Sequence, residues 1–304
     1  MGSLTVANLL LAGLLLAMRT GLLPYLTLIK FRCRIFHIFT FSHFHIKGNV
    51  VNFRILICLA LTMIVCLINA EAKIEHLVLY YDYEKDPGNK IEDLSQVKNH
   101  GTATKTKWLK NGKFGGGLEF EGKNSVIEVP HHDKLNPGGD QLTIIAWYMP
   151  LSFPGGHPPI ARKGQVGAGV GCWGFDTPGG KPRGFIYKAK DGQASVAQGQ
   201  EAMAKDKWNH LAMAYDGKKI QIYLNGKVIG SQDTTGKINE NDKAPVWIGK
   251  KANENIWLNG VMDDLAIFNV GLTGAEIKTY MNDGLTLAVS PREKLAISWA
   301  ELKH

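Results

Sequence analysis

The chain has 304 residues, with 35 Lys and Arg against 27 Asp and Glu, a formal net charge of +8. Six of the basic residues and a single acid lie in residues 1–72, so the remaining 232 residues are close to neutral and alternate in sign along their length. That pattern excludes a nucleic-acid-binding body, which carries a concentrated basic face, and the apolar and aromatic fractions, 45% and 9%, exclude disorder and collagen-like structure.

Residues 1–50 hold two apolar stretches, Leu9–Met18 and Leu22–Ile29, followed by the Phe- and His-rich FRCRIFHIFTFSHFHIK. A membrane hairpin bounded by Arg19 and Lys30 is one reading; the expectation taken here is a start near Val51, with 1–50 a doubtful extension. Residues 51–72 combine Arg54, a fourteen-residue apolar run from Ile55 to Ile68, and the small-residue exit Ala70-Glu71-Ala72. This is the pattern of a secretory signal peptide cleaved after Ala72, and the run is shorter than the roughly 20 residues of a membrane span. The expected product is secreted, periplasmic or held on the cell surface, with no membrane segment after cleavage and no nucleic-acid partner. Of four cysteines only Cys172 follows the cleavage point, so no internal disulfide framework can form, and burial is its expected fate.

From residue 73 onward the signals are almost all β. HLVLYYDY (76–83), SVIEV (125–129), LTIIAWYM (142–149), GFIYKA (184–189), WNHLAMAYD (208–216), KIQIYLN (219–225), PVWIG (245–249) and VMDDLAIF (261–268) are short runs rich in β-branched and aromatic residues, bounded by turn formers. Asp216-Gly217 and Asn225-Gly226 tolerate the positive φ of tight hairpin turns and predict a three-stranded meander. Within it Ile222 and Leu224 face one side, Gln221 and Tyr223 the other. Thr273-Gly274-Ala275-Glu276 fits a capping box opening a short helix that Asp283-Gly284 ends. A second box at Ser290–Glu293, with Pro291 at the first helical position, opens a tail that reads as a docked surface segment. The domain reading is therefore 1–50, a signal at 51–72, one domain at 73–285 and a tail at 286–304.

The order of these motifs resembles the laminin G-like jelly roll of the concanavalin A-like lectin/glucanase superfamily. The resemblance runs from LVLYYDYEKDPGNKIEDLSQVKNHGTA (77–103) through KFGGGLEFEGKNSVIEVP (113–130), LTIIAWYMP (142–150) and IARKG (160–164). It continues through KWNHLAMAYDGKKIQIYLNGKVIG (207–230) and APVWIGKK (244–251) to LNGVMDDLAIFNVGLTGAEI (258–277). It implies an all-β fold, a two-sheet antiparallel β-sandwich with a short C-terminal helix. Trp208, Leu211, Tyr215, Ile222 and Leu224 would fill the layer between sheets roughly 10 Å apart, and Tyr80–Tyr83 would neighbour 261–268.

The resemblance also implies a structural calcium ion, with Asp93, Asn99, Asp263 and Asp264 as candidate ligands. A hard cation of this kind takes several oxygens from carboxylates, amides, carbonyls and water. The competing reading makes Asp93 and Asn99 turn caps, and strict alternation would send Asp263 and Asp264 to opposite faces of a strand. A glycosidase needs two carboxyl groups flanking the scissile bond. The superfamily's glucanases space such acids along one strand, and Glu84-Lys85-Asp86 gives way to Pro87-Gly88-Asn89 instead. No catalytic residue is assigned. His131-His132-Asp133 reads as solvated loop and His210 as a satisfied sheet residue, while Gly167–Gly171 lacks the Lys-Ser/Thr of a phosphate loop. Trp173, Tyr187 and Trp257 are the candidate aromatic platforms for a sugar. Three functions stay open: a non-catalytic module binding carbohydrate or an extracellular protein, an atypical glycoside hydrolase, and a purely structural surface protein.

Overall fold

A computed structural model describes residues 75–285, apart from 137–138, 165–170, 242 and 252–253, together with two short strands, β1 (His43–Ile46) and β2 (Asn49–Asn52). The chain divides into two compact units, Met1–Cys66 and Leu67–His304. In the first, β1 and β2 pair antiparallel. Most of the expected signal segment and the tail from 286 lie outside the described residues.

The second unit is a sandwich of two antiparallel sheets. Its strands are β3 (Leu77–Tyr81), β4 (Lys90–Ile91), β5 (Gly101–Thr104), β6 (Thr106–Leu109), β7 (Gly117–Glu121), β8 (Val126–Val129), β9 (Leu142–Pro150) and β10 (Pro159–Gly164). They continue as β11 (Gly171–Asp176), β12 (Arg183–Tyr187), β13 (Ala194–Gln198), β14 (Asn209–Tyr215), β15 (Lys219–Leu224), β16 (Lys227–Asp233), β17 (Val246–Ile248) and β18 (Asn259–Phe268). Sheet I runs β16-β15-β14-β9-β18-β7-β6, with β3 also on β18; sheet II runs β13-β12-β11-β10-β17-β8-β5-β4.

The expected meander is present as β14, β15 and β16. Its second turn holds Asn225 at φ 51° and Gly226 at φ 75°, the doubly positive turn that matches strand twist. The expected neighbours also meet, with Tyr81 opposite Leu265 on β18. Leu211, Met213 and Tyr215 of β14 and Ile220, Ile222 and Leu224 of β15 join one core with Ile127, Ala161, Trp173, Phe175, Ile186, Val246 and Ile248 of sheet II. The sheets approach closely at Gly184, where a Cβ would lie 2.7 Å from Met213 and 2.8 Å from the Ile222 side chain. Trp208 departs from expectation: it precedes β14 and is half-buried at the strand's mouth rather than in the core.

Sheet I buries part of its outer face too. Helix α1 (Gly274–Asp283) starts with the full capping box, Thr273 accepting from the Glu276 backbone while Glu276 accepts from that of Thr273. Ile277 and Tyr280 of this helix pack on Tyr80, Ile145, Ala212, Ala214, Tyr223 and Phe268. No described helix is long and apolar enough to cross a membrane.

Candidate functional site

The acidic candidates sit where β3 and the bulged β18 meet. Asp93 is fully buried. Its Oδ1 accepts from the backbone N–H of Tyr80 (2.9 Å) and of Ser95 (2.8 Å), and its Oδ2 from Ser95 Oγ (2.8 Å) and the Asn99 N–H (2.7 Å). Asn99 donates its side-chain amide to the Pro130 carbonyl at 2.9 Å. This is a loop closed on itself around one carboxylate, the geometry of a turn cap.

Asp263 is held in a comparable way. Its Oδ2 accepts from the backbone N–H groups of Lys113 (2.8 Å) and Phe114 (2.9 Å), and its Oδ1 from that of Asp264 (2.8 Å). Asp264 takes φ 49°, and the β18–β9 register shifts between Asp263 and Ala266. The expected strict alternation of these two residues is thus broken by a bulge. Asp264 Oδ1 accepts the Tyr80 hydroxyl at 2.7 Å. Burial pushes Asp263 up to about 8, against its three N–H donors, and pushes Asp264 up to about 6, with Asp82 and Glu84 adding to the rise.

A calcium ion needs several oxygens with free lone pairs converging on one point. Here the Tyr80 residue separates the candidates, its N–H on Asp93 and its hydroxyl on Asp264, and the oxygens of Asp93 and Asp263 are already committed to seven donors. As arranged, Asp93, Asn99, Asp263 and Asp264 do not fit one calcium ion. Among the described residues no group of three or more His, Cys, Asp or Glu side chains is placed to hold a metal.

Beside Asp263 on the outer face of sheet I, register aligns it with Trp147 of β9 and His210 of β14. Lys113 Nζ stands 4.3 Å over the Trp147 ring, and Phe114 meets it edge-on. His210 is not the satisfied residue expected: its Nδ1 is buried without a partner, and burial holds the ring down to about 3, so it stays neutral.

The outer face of sheet II is of another kind. Register places Val196, Phe185, Gly174, Arg162, Trp247 and Glu128 in one row across β13, β12, β11, β10, β17 and β8. Their sequence neighbours Ala161, Phe175, Ile186, Val246, Ile248 and Ile127 all enter the core, so the two-residue period of a strand turns this row outward. Gly174 is needed here: a Cβ would lie 2.3 Å from Phe185 Cζ, so the Phe185 ring lies across β11. The ring comes within 5.4 Å of the Arg162 guanidinium carbon and 5.5 Å of that of Arg183, inside cation–π range. Arg183 is engaged with Asp176 through Nε (2.9 Å) and Nη2 (2.7 Å), a bidentate pair. Trp247 is half-buried directly beside Arg162.

Of the three expected platforms, Tyr187 is half-buried at the side of this face, its ring edge-on to Phe185 at 5.9 Å. Trp257 is half-buried on the loop before β18 with Lys250 Nζ 5.0 Å over its ring. Trp173 must be corrected: it is 0% exposed, lies in the core opposite Ile186, and donates Nε1–H to the Leu135 carbonyl at 3.3 Å. No ligand can stack on it. Sequence reasoning missed Arg162, Phe185 and Trp247; a basic residue at mid-strand between core-forming neighbours was the available signal.

Residues 121–278 match a laminin G family model of the concanavalin A-like lectin/glucanases superfamily. The chain belongs to this superfamily. No curated protein matches it. Among solved structures, the superfamily fold recurs in the binding domain of Paraclostridial Mosquitocidal Protein 1, at TM-score 0.55 and 17% identity, covering 69% of this chain and 52% of that one. Domain 4 of a GH43 extracellular arabinanase from Geobacillus stearothermophilus, in complex with arabinotriose, matches at TM-score 0.52 and 18% identity, over 66% of this chain and 96% of that one. A Trypanosoma rangeli sialidase in complex with sialic acid matches at 0.51 and 16%, over 71% of this chain and 34% of that one. The chain thus spans about half of the first and a third of the last, and identities this low establish the shared fold alone.

Proposed function

We propose that this superfamily member is a non-catalytic carbohydrate-binding module, exported behind the 51–72 segment, whose ligand lies on the outer face of sheet II. The observation that carries the reading is the outward row in which half-buried Trp247 adjoins Arg162 and Phe185. A sugar ring packs its apolar C–H face on an indole while polar groups at the platform's margin fix its orientation. The arabinanase domain bound to arabinotriose and the sialidase bound to sialic acid support the reading by showing this fold in proteins that meet sugars. Against catalysis, the carboxylates in and beside the row are Asp176, tied to Arg183, Glu254, tied to Lys251, and Glu128, beyond Trp247. That is not two free carboxyl groups flanking a ligand.

The test is a glycan array read with the full chain, followed by titration of the best ligand. Trp247→Ala is expected to weaken that ligand by about tenfold or more, the loss typical of an aromatic anchor, with the fold intact by circular dichroism. Unchanged affinity in a folded variant would move the site elsewhere; binding of an extracellular protein but no glycan would replace the ligand class.

A further inference from the structure

Resting on that reading, we infer that the glycan carries a carboxylate and that Arg162 is the residue that receives it. Arg162 is only 2% exposed, yet its Nε–H is buried without a partner and no ion pair or hydrogen bond engages the guanidinium among the described residues. The carboxylates nearest in charge are claimed by other cations: Asp176 by Arg183, and Glu254 by Lys251 at 2.8 Å. Neither of these two carboxylates is free to neutralise Arg162, and Glu128 stands beyond Trp247 in the row.

Leaving a charged donor desolvated and unpaired is costly, and a bound acid would remove the cost. Nε is the nitrogen buried without a partner, and Arg162 lies in the outward row between Gly174 and Trp247. A planar fork matches a planar carboxylate through two parallel hydrogen bonds. Phe185 stands on one flank of the guanidinium, and Trp247 on the other offers the sugar its platform. The ligand class is an acidic sugar, a uronic or sialic acid, with the ring beside Trp247 and the acid on Arg162.

The experiment measures the affinity of the full chain for matched pairs, sialyllactose against lactose and an oligogalacturonide against its carboxyl-reduced form. The acidic member of at least one pair is expected to bind about tenfold or more tightly than its neutral partner, the worth of a charge-assisted hydrogen bond. Arg162→Gln is expected to erase that preference, and Arg162→Lys, which keeps the charge without the fork, to recover little of it. Trp247→Ala should weaken both members together. Equal binding of both members, lowered by Trp247→Ala, would overturn the carboxylate anchor while leaving the carbohydrate reading standing. A preference confined to sulfated glycans would also overturn it, and no binding to any glycan would overturn both. Should Arg162→Gln fail to fold, the preference of the unsubstituted chain still decides.

Discussion

Asp93 and Arg162 are both buried charges in the same domain, and their surroundings differ completely. The Asp93 carboxylate receives four hydrogen bonds from its own loop and from β3, whereas the Arg162 guanidinium makes none. Burial alone therefore does not mark a functional residue. A charge whose hydrogen-bonding capacity is filled by the protein is part of the frame, and one whose capacity is left open is available to a ligand.

Substitutions can break this comparison at several points. The largest effect is expected at Trp173, where Trp173→Ala empties a fully buried core position and should cost about 4 kcal/mol, read by denaturant unfolding. Trp247→Ala, half-buried on the surface, should cost little stability and act on binding instead. If the two variants behaved alike, the division between core and platform tryptophans would be lost. Asp93→Ala comes next. It strands buried N–H donors of Tyr80, Ser95 and Asn99 and should cost about 3 kcal/mol while leaving glycan affinity unchanged. A loss of affinity without loss of stability would make Asp93 a ligand residue after all.

A pH series sharpens the contrast further. Folding raises Asp263 to about 8 and Asp264 to about 6 from an ordinary value of 3.8, so between those limits the folded chain binds more protons than the unfolded one. Their contribution is fully present below about pH 4 and is lost as pH rises toward 8. Asp263→Asn should flatten that decline in unfolding free energy. His210, held down to about 3, has the opposite slope below about pH 6.5 and remains in the variant, so the difference isolates the carboxyl group. The smallest effect is expected at the helix cap: Thr273→Ala should cost about 1 kcal/mol, with no change in binding.

Much of the frame was legible in the sequence because its signals are local. Asn225-Gly226 announces a hairpin, and Thr273 with Glu276 announces a helix start, whatever surrounds them. The short strands β4, β5 and β6 escaped, being only two to four residues long. The site was less legible because it depends on register. Arg162, Gly174, Phe185 and Trp247 come from four strands and become neighbours only once pairing is fixed. Trp173 could be read either way, since every residue of β11 is buried and no polar alternation marks its inward face. At Asp263-Asp264 the alternation rule itself failed, because a bulge at Asp264 interrupts the strand.

The central claim is that the open row on sheet II, and not the closed acidic bulge on sheet I, receives the ligand. Two-dimensional NMR of the indole N–H groups during titration with the tightest glycan from the array tests it most directly. The Trp247 resonance is expected to shift with ligand, while those of buried Trp173 and of Trp147 beside Asp263 stay in place. Movement of Trp147 with Trp247 unmoved would contradict the account and put the site on the opposite sheet.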